Sequence, residues 1–417
     1  MLEKVTTTLP IMLKWLFICV LIGIFSGSAS AFFLVTLEWV TQVRIQNSWI
    51  IWLLPFGGLI IGLGYHYYGG TVVRGNNLLL EEYDNPKTVI PLKMAPFVLV
   101  GTLITHLFGG SAGREGTAVQ MGGAIADQFQ ALFKLENIER RTLIVMGISA
   151  GFASIFGTPW AGALFAIEVL YCSKIDFKTI LLSFIVAFVA YFTVEVWAVK
   201  HTHYSIPEVP SWTPTLLMWA VVASIYFGFA AMAFSRTTHF WGRTFSKYIS
   251  YPPLRPVVGG LVLVLAIHFF NVQKFVGLGV PVIVEAFNNP SANFDFLLKI
   301  LFTGFTLGCG FKGGEVTPLF FVGATLGSAL SMVVPLPIAL LAGMGFVAVF
   351  SGATHTPIAC TAMGLELFGM ESGWYIALAC GIAYLASGSI GIYSSQNSKG
   401  VKYHLYERFR KRNLKNL

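Results

Sequence analysis

Charge is what this sequence has least of. Charged residues make up 11% of its 417 positions and apolar residues 55%, where a soluble domain carries roughly 25% charged residues. That shortage excludes an ordinary water-soluble enzyme or binding module. The mean hydropathy of +0.72 places the chain among polytopic membrane proteins. Cysteine is also scarce. Cys19, Cys172, Cys309, Cys360 and Cys380 lie in or beside apolar segments without metal-ligand spacing, so they read as packing residues and not as a disulfide framework. No HExxH motif is present, and no nucleophile–base or metal set suggests an intramembrane enzyme. The chain reads as a non-enzyme with no cofactor and no metal. No carboxylate-rich stretch supports the distant alternative, a Na⁺-coupled carrier of an anionic solute. Met1–Pro10 is too short and too little basic to be a cleaved signal, so the first apolar run is expected to stay as a spanning helix.

What is present is glycine and proline, 43 and 18 residues, too many for smooth spanning helices alone. Broken helices at membrane depth occur where they line a site. Apolar runs cover Leu13–Val40, Trp49–Tyr68, Ala95–Phe108, Ile144–Tyr171 and Ile180–Val199. After the polar stretch His201–Thr213 the pattern starts again. A shift of 201 or 202 positions brings Pro55 onto Pro256, His66 onto His268, Gly75 onto Gly277, Gly113 onto Gly314 and Gly122 onto Gly323. A shift of 198 brings Thr158-Pro159 onto Thr356-Pro357 and Glu168 onto Glu366. The expected organisation is two inverted-topology repeats, residues 1–200 and 214–398, joined by a linker at 201–213 and followed by a basic cytoplasmic tail at 399–417. The net charge of +8 does not indicate nucleic acid, because Lys and Arg cluster in short connections and in the tail, as positive-inside topology requires. Glu168 and Glu366 read as structural anchors at helix ends, and His66 and His268 as interfacial.

Repeat-built transporters hold their substrate at the repeat interface, where broken-helix N-termini point at anionic groups. The corresponding Gly-interrupted segments here are GSAGREGT and FKGGEVTP, with a second pair at Gly75–Leu79 and Gly277–Pro281. Glu115 is the single carboxylate of Gly109–Gly123, at the start of an expected helix over Thr117–Phe133. A helix start supplies unpaired N–H groups and positive potential without a fixed cation, so an anion can enter and still leave. An intramembrane carboxylate is a functional-site candidate by default. Arg114 is expected to anchor the loop by hydrogen bonds to carbonyls.

The motifs GNNLL at Gly75–Leu79, GREGT at Gly113–Thr117 and GEVTP at Gly314–Pro318, with Tyr393 in SIGIYSSQ, resemble the CLC family of anion channels and proton-coupled antiporters. That family carries GSGIP, GREGP and GxFxP at its ion site and a late tyrosine. The resemblance implies an all-α CLC-like fold of broken and tilted helices in a bacterial plasma membrane, assembled as a homodimer. It implies Glu115 as gate and proton carrier, and Asn76, Gly113, Val316, Thr317 and Tyr393 as anion-binding residues. Three departures stand out: Asn76 in place of the anion-coordinating Ser, Thr117 in place of Pro, and Val316-Thr317 in the third motif. Together they resemble the fluoride-exporting branch, implying exchange of fluoride for protons, with chloride/proton antiport or a chloride channel as the alternative. Val169 stands where chloride/proton antiporters have an inner glutamate, which leaves Glu315 as a possible second carboxylate on the proton pathway. The lack of a following nucleotide-binding regulatory pair fits a short prokaryotic member.

Overall fold

Proline and glycine decide where the helices of this chain stop. In the computed structural model, residues 2–170, 176–211, 213–270, 272–396 and 402 are described, with backbone alone for 2–9. Cys172 and, Lys402 apart, the basic tail lie outside the described residues. The first half runs through α1 (Leu2–Gln46), α2 (Leu54–Gly64), α3 (Asn76–Asp84), α4 (Met94–Leu107), α5 (Glu115–Asp127), α6 (Phe129–Phe133), α7 (Asn137–Phe156), α8 (Pro159–Val169) and α9 (Phe177–Val196). The second runs through α10 (Pro214–Tyr248), α11 (Leu254–Phe270), α12 (Val280–Ala286), α13 (Asp295–Gly308), α14 (Val316–Leu330), α15 (Ile338–Thr354), α16 (Pro357–Phe368) and α17 (Gly373–Ala386). Four helical stretches among the described residues are long and apolar enough to cross a membrane: Pro10–Gln46, Ser48–Arg74, Phe177–Val196 and Pro214–Tyr248. Many of the others are short apolar pieces.

The apolar run Ile144–Tyr171 is broken because Gly157 takes a left-handed φ of 73° and closes α7, and Pro159 opens α8 at its first position. The second half repeats the device. His355 ends α15 with a φ of 60° and Pro357 opens α16. The single helix expected over Thr117–Phe133 is interrupted at Gln128. There Asp127 is drawn into ion pairing with Arg140, and the Gln128 amide bonds to the carbonyls of Ile90 and Ala124. The described residues of the stretch at 201–213 have no regular secondary structure yet are packed: Ile206 is buried and the Tyr204 ring meets those of Phe287, Phe346 and Phe368.

The two halves touch each other through reciprocal contacts, the mark of a two-fold relation. The Gly113 N–H donates to the Gly314 carbonyl at 2.6 Å and the Gly314 N–H returns a bond to the Gly113 carbonyl at 2.8 Å. Glu168, near the end of α8, accepts the N–H groups of Ile358 and Ala359 at the start of α16 at 3.0 and 2.8 Å. Glu366, near the end of α16, accepts those of Trp160 and Ala161 at the start of α8 at 3.0 and 2.8 Å. Each carboxylate therefore satisfies the orphan donors of the other helix. Gly58 lies on the Pro256 carbonyl and Gly260 on the backbone of Pro55. His66 and His268 are exposed and sit against Tyr251 and Trp52.

Candidate functional site

The reciprocal bridge of Gly113 and Gly314 holds two helix starts back to back, α5 from one half and α14 from the other. Close approach is what the glycines permit. A side chain at Gly314 would meet the backbone nitrogens of Gly116, Glu115 and Arg114 at 2.8 to 3.4 Å. Glu115 is 1% exposed. Its carboxylate reaches across the bridge to the N-terminus of α14. Oε2 accepts the Thr317 N–H at 3.0 Å, and the Thr317 hydroxyl donates to Oε1. The Arg114 N–H adds a third donor at 3.0 Å. The residue sits at its own helix start, while its charge lies at the start of the other half's helix. The sequence could not show this, because the partner is set by packing across 202 positions.

Arg114 differs from expectation. Its Nε carries no hydrogen bond among the described residues and stands 3.9 Å from Glu115 Oε1. The loop is held instead by the glycine bridge and by His106, whose two ring nitrogens bond to the carbonyls of Thr102 and Ala112 at 2.8 and 3.1 Å. Thr117 is also engaged, sharing a 2.7 Å hydroxyl bond with Thr102 of α4.

Asn76, Glu315 and Tyr393 meet around one cavity of about 280 Å³. Gly75 precedes α3 with a φ of 58° and is the cap residue, so Asn76 is not the cap. The Asn76 Oδ1 is buried with no hydrogen-bond partner among the described residues, and its Nδ2 packs on Gly116, where an added methyl would lie 3.0 Å away. Tyr393 is 8% exposed. Val316 and Thr317 form the first turn of α14, and Val169 is a buried apolar residue at the end of α8. The cavity has a wall that sequence reasoning missed: the Lys312 ammonium, 4.3 Å from the Tyr65 ring centre. The signal for it was a lysine inside an apolar run, in FKGGEVTP.

The second matched pair of segments splits in the structure. Of Gly75–Leu79, the residues Gly75, Asn76 and Asn77 border the cavity. Its counterpart is occupied by cations of the chain itself: Lys299 donates to the carbonyls of Phe275 and Gly277 at 3.0 and 2.8 Å, and Arg44 packs on Gly277. A second unforeseen feature is a buried ion network. Arg140 binds Asp127 at 2.8 Å and Glu82 at 3.0 Å, tying α7 to α5 and α3.

Comparison with known proteins places these features. Residues 57–388 match the family described as voltage gated chloride channel. The chain belongs to this family. Among its relatives, the chloride/fluoride channel protein of Pseudomonas syringae pv. tomato is 48% identical over 402 residues, 95% of this chain and 89% of that one. The H(+)/Cl(-) exchange transporter ClcA of Cronobacter sakazakii is 28% identical, over 75% of this chain and 71% of that one. The crystal structure of a CLC-type fluoride/proton antiporter superposes with a TM-score of 0.89 at 34% identity, covering 93% of this chain and 98% of that one. The architecture is that of a voltage-gated chloride channel family transporter.

Proposed function

We propose that the protein exports fluoride across a bacterial plasma membrane in exchange for protons, as a homodimer. One observation carries the reading: the Glu115 carboxylate takes both donors of Thr317 at the N-terminus of α14. A carboxylate and a small anion compete for the same N–H and O–H groups. When Glu115 is ionised it fills the position. When it takes a proton its charge is gone, it leaves, and an anion takes its place. Alternation between the two couples anion to proton. The likeness to a CLC-type fluoride/proton antiporter and to a chloride/fluoride channel protein supports fluoride as the anion. Fluoride is small and strongly hydrated, and a hydroxyl, a backbone N–H and an amide are the donors that offset its loss of water. Asn76 and Tyr393 receive the anion in the cavity beyond the glycine bridge, and Gly113 and Val316 frame the position that Glu115 vacates. With Val169 apolar, Glu115 carries the proton, and Glu315 in the same cavity is the second carboxylate on its route.

The test is simultaneous recording of proton uptake and fluoride efflux from vesicles. Wild-type protein is expected to move fluoride faster than chloride, with proton uptake locked to efflux. Glu115→Gln keeps shape and size but neither titrates nor competes as an anion, so coupled proton uptake falls to background and fluoride efflux slows. Coupled proton uptake that persists in the Gln variant overturns the role of Glu115 and shifts it to Glu315. Chloride moving as fast as fluoride overturns the choice of anion.

A further inference from the structure

A second cavity, about 420 Å³, shares Tyr393 with the first as a lining residue. Its wall on α10 is a stripe of Arg236, His239 and Arg243, three and four residues apart on one helix face. Facing them are His355, Tyr393 and the 389–396 loop. No carboxylate among the described residues lines it. Neither arginine has an ion pair among the described residues. The His355 Nε2 is buried without a hydrogen-bond partner among the described residues. Two of the other polar groups are held in place. The His239 Nε2 bonds to the Gly391 carbonyl at 2.9 Å, and the Arg243 Nε donates to the His239 carbonyl at 3.2 Å, which leaves its terminal nitrogens unengaged by that bond.

Two guanidinium groups and two imidazoles around one cavity, with hydroxyls from Ser389 and Ser394, make an anion site. The space excludes fluoride as its intended occupant. A desolvated halide needs donors closed tightly around it, and this cavity is many times too large. Planar guanidinium forks fit oxyanions, where two N–H groups meet two oxygens of one group. We propose that this cavity binds a phosphate group and that its occupancy, pressed against Tyr393, slows anion exchange. The phosphate has two sources of the same chemistry, free inorganic phosphate and an anionic phospholipid headgroup. Phe240, between the two arginines on the same helix, is exposed.

The experiment uses the full chain in three kinds of vesicle: phosphatidylcholine alone, phosphatidylcholine with millimolar inorganic phosphate on both sides, and phosphatidylglycerol without added phosphate. Fluoride efflux in the first sets the basal rate. A severalfold slower rate in the second assigns the site to free phosphate, and in the third to the lipid headgroup. Arg236→Gln/Arg243→Gln is expected to keep the basal rate and lose the slowing. In detergent, thermal stabilisation of the purified protein by inorganic phosphate should need at least about tenfold more phosphate in that variant, since each guanidinium supplies charge-assisted bonds. No slowing in either medium, or equal slowing in wild type and the double variant, overturns the proposal. The stabilisation does not require transport, so it is read independently of whether fluoride or chloride is carried.

Discussion

Thr317 spends both of its donors on one carboxylate, the N–H at 3.0 Å and the hydroxyl beside it, and the pairing crosses from one half of the chain to the other. If the same two groups receive the anion when Glu115 leaves, the hydroxyl matters most for the ion that is hardest to strip of water. A hydrogen bond to a charged partner contributes about 1.5–3 kcal/mol, so Thr317→Ala is expected to lower the fluoride-over-chloride rate ratio about tenfold or more. In the proposed pathway Asn76 takes the next position, with a buried carbonyl oxygen that has no partner among the described residues and an amide nitrogen against Gly116. Asn76→Ser shortens the side chain and withdraws that amide, and it too should narrow the ratio. Efflux of each ion from the same vesicle preparation checks both variants. Unchanged ratios in both would mean that discrimination lies elsewhere, for example with Lys312 in the cavity wall.

Helices that pack backbone against backbone tolerate no added atom, and α14 against α15 is such a pair. A methyl at Gly323 would run into the carbonyl of Gly345, and the counterpart in the first half, Gly122, meets the carbonyl of Gly147. Gly381, within α17, faces nothing within 4 Å, and serves as the control. Gly381→Ala is expected to stabilise by about 0.5–1 kcal/mol through helix propensity and unfolded-chain entropy. Gly323→Ala is expected to destabilise by about 1–3 kcal/mol through overpacking. Thermal unfolding of the purified variants gives opposite signs; a gain in both would show that α14 can move away from α15. Part of this was legible in the sequence, because Gly122 and Gly323, and Thr158-Pro159 and Thr356-Pro357, fall at matched positions of the two halves. What stayed hidden were the elements joined by charge. Glu82, Asp127 and Arg140 come from three helices, and a charged residue next to a connection reads as solvated until its partner is known. The break at Gln128 follows from that same network, so it was hidden for the same reason.

At the scale of the whole molecule, the constant offset between Pro55 and Pro256 or Gly113 and Gly314 foreshadowed the reciprocal contacts, since equal residues meeting across a two-fold axis must lie at equal offsets. The offset could not say which of two equivalent segments keeps a cavity. That choice fell to Lys299 and Arg44, which fill the second-half copy and leave the site asymmetric. The residues of the proposed site, Asn76, Gly113, Glu115, Glu315, Val316, Thr317 and Tyr393, are all supplied by one chain, drawn from both halves. A homodimer of such chains therefore has two complete and separate pathways, because its two-fold axis relates whole sites rather than assembling one. The consequence is measurable with differently tagged wild-type and Glu115→Gln chains expressed together and purified through both tags in succession. The mixed dimer should carry half the coupled fluoride efflux of the wild-type dimer, and its proton uptake should fall by the same half. Efflux close to zero would show that one pathway needs the other, and recovery of monomers alone after purification in mild detergent would sink the dimer itself.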